Sequence, residues 1–246
     1  GLQGKASLNE VSPAKELRLG PFRMEFLEVS HSIPDGVALG IHTPVGTVVH
    51  TGDFKLDQTP VDERPTAMQK FAELGKKGVL LLLSDSTNAD TPGFTIPERT
   101  VGQRLDSIFA LAPGRIIVAS FASHIHRIQQ VIDTATRHGR SLAIIGRSMV
   151  KNVNIACNLG YLTVPEGLII RPQDIAMLPP DRVTVLSTGS QGEPRSSLIR
   201  IAMDDHKQIK LEAADTVILS SRVIPGNERT ISELINHLYR RGADVY

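Results

Sequence analysis

The residues of this chain whose types and positions suit chemistry are a histidine and an aspartate that each follow a predicted strand. The predicted strand before His31 ends within residues 28–30, and the predicted strand before Asp53 ends within residues 50–52. Imidazole and carboxylate groups both bind zinc, but a zinc site needs three or four converging donors. From spacing alone, a metal site is as well supported as a structural role, in which Asp53 caps a turn and His31 bonds to Asp35.

The chain has eight histidines, and two others stand close together. His124 and His126 form a His-x-His pattern at the start of a predicted helix. Residues two apart on a helix point in different directions, so these two side chains are not expected to bind one metal together.

Five predicted strands end in loops rich in serine, threonine and glycine. Hydroxyls, backbone N–H groups and helix N-termini at such positions bind anions. In any one loop these residues are explained by helix capping. Together, and with Arg147 and Arg222 among them, the loops favour a phosphate-rich ligand. They are residues 84–88, 120–124, 146–148, 187–192 and 220–222.

The elements that position these loops follow two patterns. Residues 22–29, 37–42 and 47–50 form short apolar segments between turn residues, which predicts one antiparallel sheet. From residue 79 onward, strands alternate with helices, which predicts a parallel sheet with ligands at the carboxyl ends of its strands. The predicted strands are 79–83, 115–119, 141–145, 183–186 and 216–219, and the helices are 98–111, 124–138, 149–159 and 228–241.

Composition limits the classes of partner. The 27 Lys and Arg nearly balance 26 Asp and Glu, so any RNA site must be local. With 4% aromatic residues and no tryptophan, contacts to phosphate and sugar would dominate over base stacking. A single cysteine, Cys157, favours a reducing, cytoplasmic compartment. The longest apolar run, residues 79–83, is far shorter than the roughly 20 residues that cross a membrane.

Six stretches of the sequence, in order along the chain, resemble consecutive blocks of bacterial ribonuclease J. This family belongs to the metallo-β-lactamase/β-CASP class. The blocks are SHSIPD (30–35), TPVGTVVHTGDFK (43–55), LSDSTN (83–88), FASHIHR (121–127), GRSM (146–149) and TGSQGEP (188–194).

The resemblance implies an α/β fold in two parts. Residues 1–96 would be part of a metallo-β-lactamase αββα domain, and residues 97–246 a β-CASP domain with a mainly parallel sheet flanked by helices. The implied activity is removal of nucleotides from single-stranded RNA in the 5′-to-3′ direction, together with internal cleavage, at a centre of two zinc ions.

The resemblance also assigns residues around the metals. His31 matches the family's isolated ligand histidine, Asp53 its bridging carboxylate, and Asp85 the acidic residue at the entry to the β-CASP region. It therefore implies His31 and Asp53 as metal ligands and Asp53 and Asp85 as catalytic residues, close together where the two domains meet. The family's His-x-His-x-Asp-His cluster and its later histidines are not in this sequence, so we expect this chain alone to be inactive.

A phosphate site is expected at the later loops. If they converge, they would hold the 5′-monophosphate of an RNA, whereas a structural role would pair Arg147 with Asp174 or Glu193. The candidate residues are Ser123, His126, Arg147, Ser148, Gly189 and Ser190.

Three functions remain open. The first is a ribonuclease, expected to be a homo-oligomer in the full-length protein. The second is a non-catalytic module that binds an RNA 5′-phosphate. The third, a hydrolase of small esters or lactams, is less favoured because such enzymes lack the long α/β region after residue 97.

Overall fold

A computed structural model describes residues 4, 6–7, 9–13 and 15–246. The chain divides into two compact units, Gly1–Glu98 and Arg99–Tyr246. The first residues of the first predicted domain, 1–3, lie outside the described residues. Among the residues described, no helix combines the length and the apolar character needed to cross a membrane.

The first unit contains a five-stranded sheet and one helix. Its strands lie in chain order, with antiparallel pairing throughout except between the last two, which are parallel. The elements are β1 (Glu16–Leu19), β2 (Phe22–Glu28), β3 (Val37–Thr43), β4 (Gly46–His50), α1 (Met68–Lys77) and β5 (Leu81–Leu83). Leu27, Ala38 and Val49 form the core of this unit with Leu74 of α1.

The second unit contains a six-stranded sheet in which every pair is parallel, in the order β11-β10-β6-β9-β7-β8. Two short 3-10 helices, Pro172–Met177 and Pro180–Arg182, precede β9. The other elements are α2 (Glu98–Leu111), β6 (Ile116–Ala119), α3 (Ile125–Arg137), β7 (Ser141–Ile144), α4 (Arg147–Asn158), β8 (Ile169–Ile170), β9 (Val183–Ser187), α5 (Ser197–Ala202), β10 (Thr216–Leu219), α6 (Glu228–Arg240) and β11 (Asp244–Val245).

Strand β6 shows why this sheet is covered on both sides. All four of its residues are buried, with Ile116 and Val118 in one apolar cluster and Ile117 and Ala119 in another. Residues of α2, α3 and α4 complete the first cluster, and residues of α5 and α6 complete the second. A strand buried on both faces is apolar throughout, as is usual in parallel sheets.

The structure confirms the predicted α/β fold class, in which a parallel sheet is flanked by helices. One strand was placed in the wrong sheet: the alternation after residue 79 grouped β5 with the parallel sheet, but β5 pairs with β4 of the first unit. Helices α1 and α5 were not predicted. Helix α5 has only six residues, and a segment that short shows too little of the 3.6-residue period.

Candidate functional site

Three loops of the first unit lie together at one edge of its sheet. The N–H of Lys55, two residues after Asp53, donates to the carbonyl of Ser30, next to His31, at 2.7 Å. The N–H of Asp85 donates to Thr51 Oγ1 at 2.9 Å. The loops that carry His31, Asp53 and Asp85 are therefore joined by hydrogen bonds.

Asp85 acts as a hydrogen-bond acceptor within these loops. Its Oδ1 accepts from the hydroxyl of Thr87 at 2.7 Å and from the N–H of Thr87 at 3.0 Å. Its Oδ2 accepts a longer bond, 3.4 Å, from the N–H of Phe54. The two bonds from Thr87 do most to lower the pKa of Asp85, and the bond from Phe54 and the nearby His31 lower it further. Partial burial acts in the opposite direction but is outweighed. Asp85 is thus ionised and holds the residue that follows Asp53.

The side chains of His31 and Asp53 are accessible. Asp53 is exposed, and His31 is half-buried with its Nδ1 at 3.2 Å from the hydroxyl of Ser32. Asp35, the alternative partner of His31, forms an ion pair with Arg64 at 2.8 Å. The exposure of the two candidate ligands thus differs, since Asp53 is exposed and His31 is half-buried.

A complete metal shell is not formed by the residues that the structure describes. Among them, no three or more histidine, cysteine, aspartate or glutamate side chains are grouped so that they could hold a metal ion. Zinc in proteins has three or four protein donors. His31 and Asp53 could supply part of such a shell, but the described residues do not fit a two-zinc centre by themselves.

In the second unit, four of the predicted loops lie at a single edge of the sheet. Strands β10, β6, β9 and β7 are neighbours and parallel, so the loops after them share the carboxyl edge. The fifth loop, residues 84–88, follows β5 and belongs to the first unit. We call the shared edge of the second unit the carboxyl edge. In open parallel sheets ligands bind there.

Helix α4 follows β7 and begins without a side-chain cap. Its N-cap is Gly146, which has a φ of 94° and no side chain, and no described side chain caps the helix in its place. Arg147 and Ser148 follow, and both are exposed. The uncapped N–H groups of a helix N-terminus favour an anion, and the Arg147 guanidinium adds charge.

Neither alternative partner of Arg147 pairs with it. Asp174 pairs with Arg171 at 2.8 Å. Glu193 accepts from the N–H of Gln191 at 3.1 Å. Neither carboxylate therefore prevents Arg147 from contacting a ligand.

Two contacts bring the neighbouring loops to α4. A methyl group at Gly146 would lie 2.8 Å from Thr188 Oγ1, so the turn before α4 touches the loop after β9. The amide of Asn152 in α4 donates to the carbonyl of Ala122 at 2.8 Å, which brings the exposed Ser123 loop alongside. Ser123, Arg147 and Ser148 thus lie on adjoining loops.

The other predicted phosphate ligands are less accessible. The N-cap of α3 is His124, whose Nδ1 accepts from the N–H of Arg127 at 3.2 Å, and His126 is buried inside the first turn. Gly189 begins a turn closed by the N–H of Gly192, and Ser190 is only 2% exposed. His126 and Ser190 are therefore less accessible to a ligand than the exposed Arg147 and Ser148.

Residues 113–238, about half of the chain, match the family described as "Ribonuclease J, beta-CASP domain". The chain belongs to this family. Similarity to ribonuclease J also extends beyond those residues. The ribonuclease J of Thermus thermophilus is 47% identical over 243 residues, 98% of this chain, and that of Synechocystis is 44% identical over all 246 residues.

The matching ribonuclease J proteins are much longer than this chain. The chain covers 42% of the Thermus thermophilus protein and 38% of the Synechocystis protein. A solved structure of a protein of unknown function from Enterococcus faecalis superposes with a TM-score of 0.64 over 97% of this chain and 55% of its own. At 13% identity, that likeness supports the fold alone.

Two buried side chains of the β-CASP domain were missed from the sequence. Arg127 follows the predicted His-x-His pair, and Gln191 lies inside the TGSQGEP block. Both bond to the loop after β10, at positions that are 30 or more residues distant along the chain. The sequence contains no periodic or spacing pattern that would indicate such pairings.

Proposed function

We propose that this chain is part of a metal-dependent ribonuclease that degrades single-stranded RNA. The observation that carries the proposal is the similarity to ribonuclease J, at 47% identity over 98% of the chain. We use the term complete enzyme for the longer protein, of the relatives' length, that would carry this chain.

The proposed activity is removal of nucleotides in the 5′-to-3′ direction together with internal cleavage. Such an enzyme would serve RNA processing and mRNA decay in the cytoplasm, without a membrane partner, and as a homo-oligomer. The near balance of charge, a net +1, supports local recognition of RNA rather than a general attraction to nucleic acid.

For the metal centre, we propose that His31 and Asp53 are ligands in a two-zinc site. Since no grouping of three donors occurs among the described residues, the other donors would come from outside this chain. Asp85 would act by orientation, because its carboxylate holds the N–H of Phe54 and so the loop that carries Asp53. This chain alone would then be inactive.

For the RNA, we propose that the carboxyl edge binds the terminal 5′-monophosphate. The N–H groups at the start of α4 would meet the phosphate, with Arg147, Ser148 and Ser123 around it. His126, Gly189 and Ser190 would have a supporting role, since His126 and Ser190 are buried. An enzyme with this site would begin at monophosphorylated ends.

The second candidate function is a non-catalytic module that binds an RNA 5′-phosphate. The observation in its favour is the same lack of a three-donor metal group among the residues described. It shares the phosphate site with the ribonuclease proposal and differs from it in predicting binding without turnover.

A degradation assay separates these functions. The complete enzyme, incubated with 5′-monophosphorylated single-stranded RNA, is expected to release nucleotides, and a chelator or Asp53→Ala should abolish the release. Asp90→Ala, which removes an exposed aspartate of the same unit, is the matched control and should retain activity. RNA that is bound but left intact by the metal-loaded complete enzyme would establish the binding module instead.

A further inference from the structure

A single hydroxyl, that of Thr66, bridges two loops of the first unit. Its Oγ1 accepts from the N–H of Ser30 at 3.0 Å and donates to the carbonyl of Lys55 at 3.2 Å. Ser30 precedes His31, and Lys55 lies two residues after Asp53. The N–H of Lys55 also donates to the Ser30 carbonyl at 2.7 Å. These bonds form a closed ring between the loops that carry His31 and Asp53.

The position of Thr66 beside α1 suggests a helix cap, but its hydroxyl is not used as one. Threonine is a common N-cap residue. The N-cap of α1 is Ala67, however, and it makes no side-chain capping bond. The N–H of Ala67 donates to the carbonyl of Glu28, the last residue of β2, at 2.9 Å. The segment before α1 is therefore held at the end of β2, and the Thr66 hydroxyl serves the loops rather than the helix.

Lys55 is also held through its side chain. Its Nζ lies 3.1 Å from Glu98 Oε1 and 3.5 Å from Asp57 Oδ2. The Asp57 carboxylate is buried and accepts from the N–H of Glu98 at 2.8 Å. The carbonyl to which Thr66 donates thus belongs to a segment with a fixed position, so Thr66 can align the neighbouring loop with it.

Burial makes the Thr66 hydroxyl difficult to replace. Thr66 is 8% exposed and Ser30 is 7% exposed, so water has little access to the bond between them. Without the hydroxyl, the N–H of Ser30 would lose this acceptor, and a buried unpaired N–H destabilises the conformation that buries it. The loop would move to pair that N–H elsewhere. His31 would then change its position relative to Asp53.

We propose that Thr66 is a positioning residue for the ribonuclease reaction, because its hydroxyl sets the separation of the loops that carry His31 and Asp53. Thr66 acts through those loops and does not contact the RNA. The proposal rests on the proposed function and extends the site to a residue outside both loops. Loss of the hydroxyl should therefore slow the reaction more than it weakens RNA binding.

The kinetic test replaces Thr66 in the complete enzyme and measures kcat and KM on 5′-monophosphorylated single-stranded RNA. Thr66→Val has nearly the same shape but no hydroxyl. Its kcat should fall by about tenfold or more, since a displacement of about 1 Å at a reacting group can cost about 100-fold. KM should change little, because the loops proposed to bind the RNA lie in the second unit. Thr66→Ser keeps the hydroxyl and should retain most of the kcat.

Thr43 offers a matched control in the same unit. Its hydroxyl donates to the carbonyl of Gly46 at 2.8 Å and accepts from the N–H of Val45 at 3.2 Å. These are the same two kinds of bond, but they lie in the turn between β3 and β4, at the opposite end of β4 from Asp53. Thr43→Val should leave kcat unchanged. An unchanged kcat in Thr66→Val, or an equal loss in Thr43→Val, would overturn the proposal.

Amide hydrogen exchange in this chain tests the positioning step without RNA. The Lys55 amide does not bond to Thr66, but it donates to Ser30 across the two loops. In Thr66→Val it should exchange faster relative to the amides of β3, whereas Thr43→Val and Thr66→Ser should leave that ratio unchanged. Thr66→Cys is the second variant if the valine prevents folding, because a thiol is a weak donor and acceptor.

The outcomes separate the two proposals. Unchanged exchange of the Lys55 amide in the valine and cysteine variants would show that Thr66 does not hold the loops together. RNA left intact by the wild-type complete enzyme would instead overturn the proposed function, whatever the exchange of Lys55 shows.

Discussion

Two buried serines at the carboxyl edge differ in how their hydroxyls are bonded. Ser187 donates to the carbonyl of Thr188 at 2.9 Å. The hydroxyl of Ser120, which is 1% exposed, has no partner among the residues that the structure describes. Burying an unpaired hydroxyl costs about 1–3 kcal/mol, so the two serines contribute to stability with opposite signs.

We therefore expect Ser120→Ala to keep or raise the melting temperature, whereas Ser187→Ala lowers it. The loss at Ser187 should be about 1 kcal/mol, the usual net contribution of a hydrogen bond. Thermal unfolding of the two variants beside the wild-type chain measures the difference. Equal destabilisation by both changes would mean that Ser120 has a bonding partner after all.

His206 makes the stability of the second unit depend on pH. Its Nδ1 accepts from the N–H of Ile209 at 3.3 Å, and burial, followed by nearby Arg200, lowers its pKa below the ordinary value of 6.5. The unfolded chain therefore takes up a proton at a higher pH than the folded chain. The contribution of neutral His206 to the free energy of unfolding is fully present above pH 6.5. It is lost as the pH falls toward the lower pKa of the folded state.

His206→Asn should flatten this dependence. The asparagine oxygen can still accept from the backbone, but it does not titrate. We expect the wild-type melting temperature to fall between about pH 7 and pH 5, and the variant's to fall less. Parallel curves for the two proteins would show that another group causes the acid sensitivity.

At the scale of elements, the start of α4 depends on a glycine for two reasons. Gly146 has a positive φ, and a methyl group there would meet Thr188 Oγ1 at 2.8 Å. Gly160 also has a positive φ, 77°, but a methyl group there would meet nothing within 4 Å. The two glycines thus share a positive φ and differ in the close approach.

Gly146→Ala should thus be more destabilising than Gly160→Ala and should weaken RNA binding, since it displaces the loops around α4. The strain common to both is about 1 kcal/mol or more. Denaturant unfolding and fluorescence anisotropy with a 5′-monophosphorylated RNA measure the two effects. Similar losses in both variants would mean that the contact with Thr188 is not needed.

The sequence predicted the strands and helices better than it predicted which strands pair and which side chains bond. The alternation of apolar strands and helices after residue 97 predicted β6, β7, β9 and β10, because a strand buried on both faces needs a continuous apolar run. The leucines of β5 show a strand but not which sheet it joins, because an apolar run does not identify the strand that pairs with it. The bonds of Gln191 were beyond prediction for the same reason, as they join residues separated by 30 or more positions.

The candidate site was predicted to a similar extent. The strand-end rule placed the later loops at one edge, and the resemblance singled out His31 and Asp53. The sequence could not show that His124 caps α3 while α4 starts without a side-chain cap, because capping depends on backbone geometry at each turn. Together with the burial of His126 and the exposure of Arg147, that difference supports Arg147 in the proposed phosphate site.

At the scale of the whole molecule, the two units carry different parts of the proposed function. The candidate metal ligands, His31 and Asp53, belong to the first unit, and the loops proposed to bind the phosphate belong to the second. Two donors alone do not hold zinc tightly. The proposed phosphate site therefore lies within this chain, whereas the proposed turnover requires the complete enzyme.

The most direct test is the rate at which the complete enzyme degrades one RNA sequence with a 5′-monophosphate or a 5′-hydroxyl, before and after Arg147→Ala. The wild-type enzyme should prefer the monophosphorylated RNA, and the variant should lose most of that preference, about tenfold or more for a charge-assisted contact. Lys151→Ala, which removes an exposed cation further along α4, should keep the preference. Equal losses on both RNAs in Arg147→Ala would contradict the account.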